Sequence, residues 1–282
     1  MVRDVFDKES RKAFIVKNLN VSMLNLGFSE HLIEDFLSNI ATLDVEVFID
    51  KYKDELARVQ LGHFFDELVP KYFESYIIPE VPTGGKVLDV GCGRGTLVAC
   101  LTETGRFQEI VGLDIIATPE WQGLSDDVTR FAVVKESDFF DFVQTEKPNH
   151  VTMTWVLHHM EYDQQKRYLR ALYEVLDEDS TMVILEDAYS EVILPESGFE
   201  SWEEFKKWNL EDRQKIMGAY DWIANRIFSM RSSMPVPFAY RSVEDWVSLL
   251  EDVGFTVIKS RFLGFPENRD VNTVQSVMVV KK

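Results

Sequence analysis

Hydrophobic residues follow two different periods along the chain. From about residue 5 to 78, apolar side chains recur every three or four positions, as in HLIEDFLSNI and ELARVQLGHFFDELVPKYFESYI. This spacing is typical of amphipathic helices. Pro79 and Pro82 end the pattern, and Thr83-Gly84-Gly85 indicates a turn. Residues 1–80 are therefore predicted to form an N-terminal helical segment.

From Lys86 onward, short β-rich runs alternate with polar or helical segments. The runs are KVLDV, EIVGLDI, RFAVVK, HVTMTWVL, TMVILED, FTVIKSRFL and VQSVMVVKK. Strands that alternate with helices predict right-handed crossovers and a mainly parallel sheet with helices on both faces. The last two runs predict an antiparallel hairpin at the sheet edge. The expected fold class is a doubly wound α/β domain with a seven-stranded sheet.

The alternation is interrupted between residues 188 and 240 by an aromatic, helical stretch. We expect residues 81–187 and 241–282 to form the core and 188–240 to form a substrate lid insert. The segment SVEDWVSLLEDVGF reads as a helix because Ser242 suits the N-cap, acidic residues fill the first turn and Gly254 follows the last turn.

Composition narrows the class of protein. Apolar residues make up 45% of the chain, and the net charge of −18 argues against a nucleic-acid partner, since such partners are bound mainly by Lys and Arg. The two cysteines, Cys92 and Cys100, offer neither a disulfide framework nor a cysteine-rich metal site. The first residues lack an uncharged apolar stretch and no run reaches membrane length, so we expect a cytoplasmic protein without a membrane partner.

The stretch VLDVGCGRGTLVA, residues 87–99, joins a predicted strand to a predicted helix through three glycines. Gly91, Gly93 and Gly95 suit either a tight turn without a ligand or a ligand-binding loop. Asp89 would repel the pyrophosphate of a dinucleotide at close range, but it would attract the ammonium of an amino-acid tail. The carboxylate of such a tail is expected against the N–H groups of the loop and helix.

Two further acidic residues follow the next strands. Asp114 ends VGLD, where a carboxylate is placed to accept from two ribose hydroxyls. Asp138 precedes Phe139 after the third strand. Asp138 suits an exocyclic amine and Phe139 a base, but Asp138 also suits a helix cap.

At these residues the sequence resembles the class I S-adenosylmethionine-dependent methyltransferases. VLDVGCGRG, VGLDI, ESDFF and VTMTWVLHHM resemble four motifs of that family in the same order, over roughly residues 80–187. The resemblance implies S-adenosylmethionine as cofactor and S-adenosylhomocysteine as product. It places the methionine part at the glycine loop, the ribose at Asp114, the adenine at Asp138 and Phe139, and the sulfonium above Thr154 and Trp155. The implied cofactor residues are Asp89, Gly91, Cys92, Gly93, Gly95, Asp114, Ile115, Asp138, Phe139, Thr154 and Trp155.

Candidate catalytic residues follow the fourth and fifth strands. His158 and His159 are placed at the sheet edge where ligands of such folds bind, and either ring can take a hydroxyl proton near neutral pH. Such a paired-His loop is similar to that of O-methyltransferases that act on small-molecule alcohols. Alternatively, one His packs in the core. Glu186 and Asp187 would orient a His, bind the acceptor or cap the next segment. No metal is expected, because the adjacent histidines diverge and no ligand set completes a site.

The insert and its flank supply the candidate substrate contacts. Residues 206–241 contain seven basic and three acidic groups, within a chain of charge −18. The arginines would bind a carboxylate or phosphate of the acceptor, or they would pair with acidic N-terminal helices. The substrate-binding candidates are Tyr189, Trp222, Arg226, Arg231 and Arg241.

The favoured function is methyl transfer to the oxygen of a small-molecule acceptor with a His general base. The alternatives are an N-methyltransferase of a small amine, a non-catalytic cofactor-binding regulatory subunit, suggested by the bulky Trp155, and a nicotinamide dehydrogenase, which Asp89 disfavours. The identity of the acceptor and the oligomeric state are left open.

Overall fold

The computed structural model describes residues 3–231, 234–265 and 273–282, which group into two compact units. We call residues 69–193, 241–262 and 276–282 the sheet unit. The helical unit comprises the described residues within 1–68, 194–240 and 263–275. The N-terminal segment was expected to extend to residue 80, but residues 69–80 group with the sheet unit because their helix packs against the helix that follows the glycine loop.

Helices account for most of the chain outside the sheet. They are α1 (Glu9–Asn25), α2 (Glu30–Asn39), α3 (Val45–Leu56), a π-helical segment (Ala57–Leu68), α4 (Val69–Tyr76), α5 (Thr96–Glu103), α6 (Trp121–Leu124), α7 (Phe139–Glu146), α8 (Tyr162–Val175), α9 (Phe199–Phe205), α10 (Leu210–Trp222), a second π-helical segment (Ile223–Phe228) and α11 (Val243–Val253). The apolar spacing predicted one continuous helix through residues 55–77, and the π-helical segment interrupts it. A spacing of three and four residues does not distinguish α-helical from π-helical hydrogen bonding.

Within the described residues, seven strands form one mixed sheet. They are β1 (Lys86–Val90), β2 (Glu109–Asp114), β3 (Thr129–Val133), β4 (His150–Thr154), β5 (Thr181–Glu186), β6 (Thr256–Gly264) and β7 (Gln275–Lys281). Their order is β3-β2-β1-β4-β5-β7-β6. The strands β1 to β5 pair in parallel, and β7 runs antiparallel to β5. The predicted fold class, including the antiparallel C-terminal hairpin, is confirmed.

One predicted strand is too long. The run HVTMTWVL predicted β4 through residue 157, but β4 ends at Thr154 and a short 3₁₀-helix forms at Leu157–His159. The reason lies outside the run itself. The N–H groups of Val156 and Leu157 donate to the side chain of Glu186 instead of continuing the ladder.

The core of the sheet unit lies between the strands and helices α7, α8 and α11. Leu88 and Val90 of β1 belong to it, together with Trp246 of α11, which is fully buried. Side chains alternate across a strand, so Asp89 faces the other side of the sheet from its two neighbours. The Asp89 side chain is therefore directed away from this core.

The helical unit is held by aromatic and charged contacts between α1, α2 and the insert. Phe28 and Phe36 pack on Phe228, with ring centroids 5.2 and 5.5 Å apart. Asp212 of α10 pairs with Lys8 at 2.8 Å and with the buried Arg11. One alternative was that basic residues of the insert pair with acidic residues of the N-terminal helices. In these contacts the insert supplies the acidic residue and the N-terminal segment supplies the basic ones. Within the described residues, no helix combines the length and the apolar character that crossing a membrane needs.

The predicted helix at residues 242–253 is capped at its N-terminus. The N–H of Asp245 donates to Ser242 Oγ at 3.0 Å, and the Ser242 N–H donates back to Asp245 Oδ2 at 3.4 Å. We expect Ser242→Ala to lower the free energy of unfolding by about 1 kcal/mol. Urea denaturation monitored by circular dichroism measures this change. Ser75→Ala is the matched control, because its exposed hydroxyl caps nothing and the loss is expected to stay below about 0.5 kcal/mol.

Candidate functional site

The glycine loop has a left-handed backbone at each of its glycines and is packed closely against its neighbours. Gly91, Gly93 and Gly95 all have positive φ, at 74°, 53° and 85°. A Cβ on Gly91 would lie 2.4 Å from Val156 Cγ2, so the loop after β4 is packed directly against Gly91. The N–H groups of Gly91 and Cys92 donate to Leu113 O, and that of Gly95 donates to Cys92 O. These three N–H groups bond within the chain, and the expected contact of loop and helix N–H groups with a ligand carboxylate stays a prediction.

Asp114 joins the glycine loop to the segment after β2. Its Oδ2 accepts from the Gly93 N–H at 2.8 Å, and its Oδ1 accepts from the Ile115 N–H at 2.7 Å. Oδ1 also accepts from the Ile116 N–H at 3.3 Å. A carboxylate has about four lone-pair sites, so the remaining capacity for a ribose hydroxyl lies on Oδ2. Trp121 Nε1 donates to Gly93 O at 2.9 Å, and the Trp121 ring stacks on Phe131. Trp121 was not predicted, since no motif marks a residue whose role is to support a loop.

Asp89 is 1% exposed and has one satisfied oxygen. Thr152 Oγ1 donates to its Oδ1 at 2.7 Å, whereas Oδ2 has no hydrogen-bond partner among the described residues. Burial raises the pKa of Asp89 to about 7, although the hydrogen bond from Thr152 opposes this shift. A buried carboxylate with an open oxygen fits a bound cation such as an ammonium group. Thr152 was not predicted, although it is the residue paired with Asp89 across β1 and β4.

The residues proposed for the adenine differ in accessibility. Ile115 is 60% exposed, as an apolar contact for a ligand requires. Asp138 is exposed, and it accepts from Ser137 Oγ at 3.0 Å without capping α7. Phe139 is 4% exposed and stacks on Tyr168 with ring centroids 4.3 Å apart, so its ring belongs to the core. Phe140, which is 38% exposed, is the ring beside Asp138 that remains accessible.

Cys92 and the two residues at the end of β4 complete the predicted cofactor set. Burial raises the pKa of the Cys92 thiol, so this side chain is a neutral packing group. Thr154 is 8% exposed at the last position of β4. Trp155 follows in the left-handed region with φ of 52°, and its ring packs on Tyr72 and Phe73 of α4.

A buried carboxylate organises the loop that carries both histidines. Glu186, at the end of β5, accepts from the N–H groups of Val156 at 3.0 Å and Leu157 at 2.6 Å. His158 contacts it twice, through its N–H at 3.4 Å and its ring Nδ1 at 2.5 Å. Glu186 is fully buried and His158 is 2% exposed, whereas His159 is only half-buried with its ring centroid 4.2 Å from that of His158. The histidines thus occupy different environments.

Gln165 supports the same loop from α8 and was not predicted. Its Nε2 donates to the carbonyls of Leu157 and Met160, both at 3.1 Å, and its Oε1 accepts from Arg241 Nε at 2.8 Å. The Arg241 guanidinium also lies over the Tyr162 ring, 4.5 Å from its centroid. Burial lowers the pKa of Arg241. Arg241, predicted to bind substrate, is therefore tied to the histidine loop.

The remaining predicted residues are placed as follows. In the sheet unit, Asp187 is 6% exposed, and Tyr189 is 3% exposed with its carbonyl accepting from the Val243 N–H at 2.7 Å. In the helical unit, Trp222 is 9% exposed, Arg226 Nε donates to Met234 O at 2.9 Å, and the Arg231 N–H donates to Asn225 O at 2.9 Å. Both arginines are partly exposed.

The residues present fit S-adenosylmethionine. The open oxygen of Asp89 suits an ammonium group, and Asp114 suits ribose hydroxyls. The fold is that of a class I S-adenosylmethionine-dependent methyltransferase.

Sequence comparison supports this class. A family profile described as a methyltransferase domain matches residues 58–260, well over half of the chain. The chain therefore belongs to the methyltransferase-domain family. No curated protein sequence gives a significant match.

Three solved structures illustrate the structural similarity. The first is 1,6-didemethyltoxoflavin-N1-methyltransferase of Burkholderia thailandensis, bound to 1,6-didemethyltoxoflavin and S-adenosylhomocysteine, at 16% identity over 88% of this chain and 89% of that chain, with a TM-score of 0.48. The second is a methyltransferase of Archaeoglobus fulgidus, at 17% identity over 77% and 94%, with a TM-score of 0.49. The third is mitomycin 7-O-methyltransferase, at 15% identity over 93% and 68%, with a TM-score of 0.49. Similarity at this level says nothing about the acceptor of this chain.

Gly91→Ala tests the close approach of the two loops. We expect a loss of about 2 kcal/mol or more in unfolding free energy, from the positive φ and from the contact with Val156 together, and a large loss of S-adenosylhomocysteine affinity. Denaturant unfolding and calorimetric titration measure the two quantities. Gly105→Ala is the control, since its φ is 62° but nothing lies within 4 Å of the added Cβ. Equal losses in both variants would show that the contact with Val156 is unimportant.

Asp89 makes stability depend on pH. Because its pKa is raised in the folded protein, the folded state holds a proton that the unfolded state has lost between about pH 4 and 7. Unfolding free energy therefore falls as pH rises through this range. We expect a weaker fall in Asp89→Asn, measured as melting temperature from pH 4.5 to 8.

Asp126→Asn is the control for this pH dependence. Hydrogen bonds from the N–H groups of Val128 and Thr129 lower the pKa of Asp126, so its contribution is constant above about pH 5 and is lost on acidification. A pH profile of Asp89→Asn parallel to that of the wild type would contradict the assignment.

Proposed function

We propose that the chain transfers the methyl group of S-adenosylmethionine to a hydroxyl of a small-molecule acceptor, with His158 as general base. The observation that carries this proposal is the 2.5 Å contact between His158 Nδ1 and Glu186 Oε2 in a fully buried setting. An adjacent base is required for an alcohol, since a hydroxyl must lose its proton as the new bond forms. A neutral amine acceptor has no such requirement.

The hydrogen bonds of Glu186 favour one tautomer of His158. Its Oε1 accepts from two backbone N–H groups and its Oε2 from the His158 N–H, so Nδ1 of His158 is assigned as the ring donor to Oε2. The lone pair is then on Nε2, the atom that takes the acceptor's proton in this proposal. The backbone N–H groups of Val156, Leu157 and His158 hold the carboxylate in place, so Glu186 acts as a positioning residue.

The same observations favour His158 over His159. Each histidine follows β4 at the same sheet edge, but the ring contact with the Glu186 carboxylate belongs to His158. Hydrogen bonds to charged groups are stronger when both partners are buried, which favours one ring orientation for His158. A half-buried ring such as His159 suits contact with the acceptor.

The chain's own residues supply the cofactor's contacts in this proposal. Asp89 binds the ammonium group, Asp114 the ribose hydroxyls, and Ile115 and Asp138 the adenine. Phe140 takes the place first given to Phe139, because its ring is accessible. When bound, S-adenosylmethionine supplies an electrophilic methyl group whose bond to sulfur breaks as the bond to the acceptor oxygen forms, leaving S-adenosylhomocysteine.

Three of the residues predicted to bind substrate lie in the helical unit, and their role stays a prediction. Arg226 and Arg231 are partly exposed and carry guanidinium groups that suit a carboxylate or phosphate. Trp222 lies one turn before Arg226 on the same stretch of helix. Arg241 and Tyr189 are assigned to supporting the site, because their contacts join loops within the sheet unit.

His158→Asn tests the proposed base. With hydroxylated acceptors, we expect kcat to fall by about 100-fold or more while the Kd for S-adenosylhomocysteine changes less than about twofold. Transfer of radiolabelled methyl groups and calorimetric titration measure these values. His159→Asn is expected to lose less than about tenfold, and the exposed His63→Asn is the control for the substitution itself.

Two outcomes would contradict the assignment. Unchanged turnover of the hydroxylated acceptors in His158→Asn would show that His158 is not the base. A larger loss in His159→Asn than in His158→Asn would assign the base to the other ring.

A further inference from the structure

Trp155 adopts a backbone conformation that bulky residues avoid. It directly follows β4 with φ of 52°, and its N–H donates to Leu185 O at 2.8 Å as the last bond of the β4–β5 ladder. The left-handed region crowds Cβ against the backbone, so a tryptophan there is an outlier that its surroundings must hold in place. Such outliers cluster at active sites and ligand-binding sites.

The indole is held by a row of aromatic side chains on α4. Its ring stacks on Tyr72 at a centroid distance of 5.9 Å and an interplanar angle of 28°, and packs on Phe73 at 5.3 Å. Tyr72 in turn lies 4.6 Å from Tyr76, and the Arg261 guanidinium lies over the Tyr76 ring. Phe73 is buried, but Trp155, Tyr72 and Tyr76 are each partly exposed. These three rings form what we call the aromatic shelf.

Trp155 connects the shelf to the loop that carries the proposed base. Val156, the next residue after Trp155, is the side chain packed against Gly91 of the glycine loop. His158, the proposed base, lies three residues after Trp155. The backbone that holds Trp155 is thus anchored on one side by β5 and on the other by the cofactor loop.

We propose that the acceptor is a planar aromatic hydroxyl compound whose ring stacks on the shelf at Trp155 and Tyr72. This inference rests on the proposed function and adds its substrate class. Partly exposed aromatic faces that are already held in place bind a planar π-system at little entropic cost. A non-planar polyol or aliphatic alcohol of equal size gains no comparable contact from them.

The test compares matched planar and saturated ligands. 2-Naphthol with decahydro-2-naphthol, and 8-hydroxyquinoline with its ring-saturated analogue, are titrated calorimetrically into wild-type protein saturated with S-adenosylhomocysteine. We expect at least one planar compound to bind about tenfold more tightly than its saturated partner, and tryptophan fluorescence to change as it binds. The absence of any planar preference in this complex overturns the proposal.

Variants assign the preference to the shelf. Trp155→Leu and Tyr72→Leu keep apolar volume without an aromatic face, and each is expected to reduce the tenfold preference to less than about threefold. Trp155→Phe and Tyr72→Phe are expected to keep most of it. Tyr173→Leu is the matched control, because Tyr173 is a partly exposed ring packed on Phe255 elsewhere in the sheet unit. Its planar preference is expected to equal that of the wild type.

Two controls distinguish ligand stacking on the shelf from a purely structural role of the Trp155 ring. S-Adenosylhomocysteine affinity and melting temperature are measured for every variant, with Trp155→Gly added because glycine accepts the positive φ. If Trp155→Leu and Trp155→Gly lose cofactor and planar-ligand affinity in parallel, the ring is structural and the proposal is overturned. Failure of the wild type to bind S-adenosylhomocysteine would instead contradict the proposed function.

Discussion

The loop after β4, which carries both histidines, depends on one buried carboxylate. Glu186 is fully buried at the end of β5, where an ionised group without partners would be strongly destabilising. Three backbone N–H groups and the ring of His158 satisfy it. The register of the sheet makes this possible, because Leu185 pairs with Thr154 and places Glu186 beside the loop that follows β4. The end of β4 and the orientation of His158 both follow from this arrangement.

The close packing of the glycine loop is the second constraint on the structure. The N–H groups of Gly91, Cys92 and Gly95 bond within the chain, Val156 packs against Gly91, and every loop glycine has a positive φ. The glycine loop and the loop that carries both histidines are therefore packed on each other. Asp89 is buried between two apolar neighbours in β1, and one of its oxygens is open. The group that suits an ammonium ligand is therefore this carboxyl group and not the backbone of the glycines.

The local sequence pattern predicted most helices and strands, but it failed where a residue distant in sequence forms the deciding hydrogen bond. The strands and the capped helix α11 were predictable, because alternation and the Ser242 cap are properties of adjacent residues. The extended reading of β4 was wrong because its next N–H groups bond to Glu186, thirty residues away. The π-helical segment was missed because its hydrophobic spacing resembles that of an α-helix. Phe139 and Phe140 are equivalent in sequence, and only packing on Tyr168 separates them.

By itself, the sequence determined the fold class, the methyltransferase motifs and the residue types gathered at the carboxyl ends of the strands. These follow from periodicity and from motifs, which are readable one segment at a time. Only the tertiary structure decided that His158 rather than His159 contacts Glu186, that Arg241 supports the histidine loop through Gln165, and that Trp155 stacks on α4. The contacts His158–Glu186, Arg241–Gln165 and Trp155–Tyr72 join residues at least 28 positions apart, whose partners no local pattern specifies.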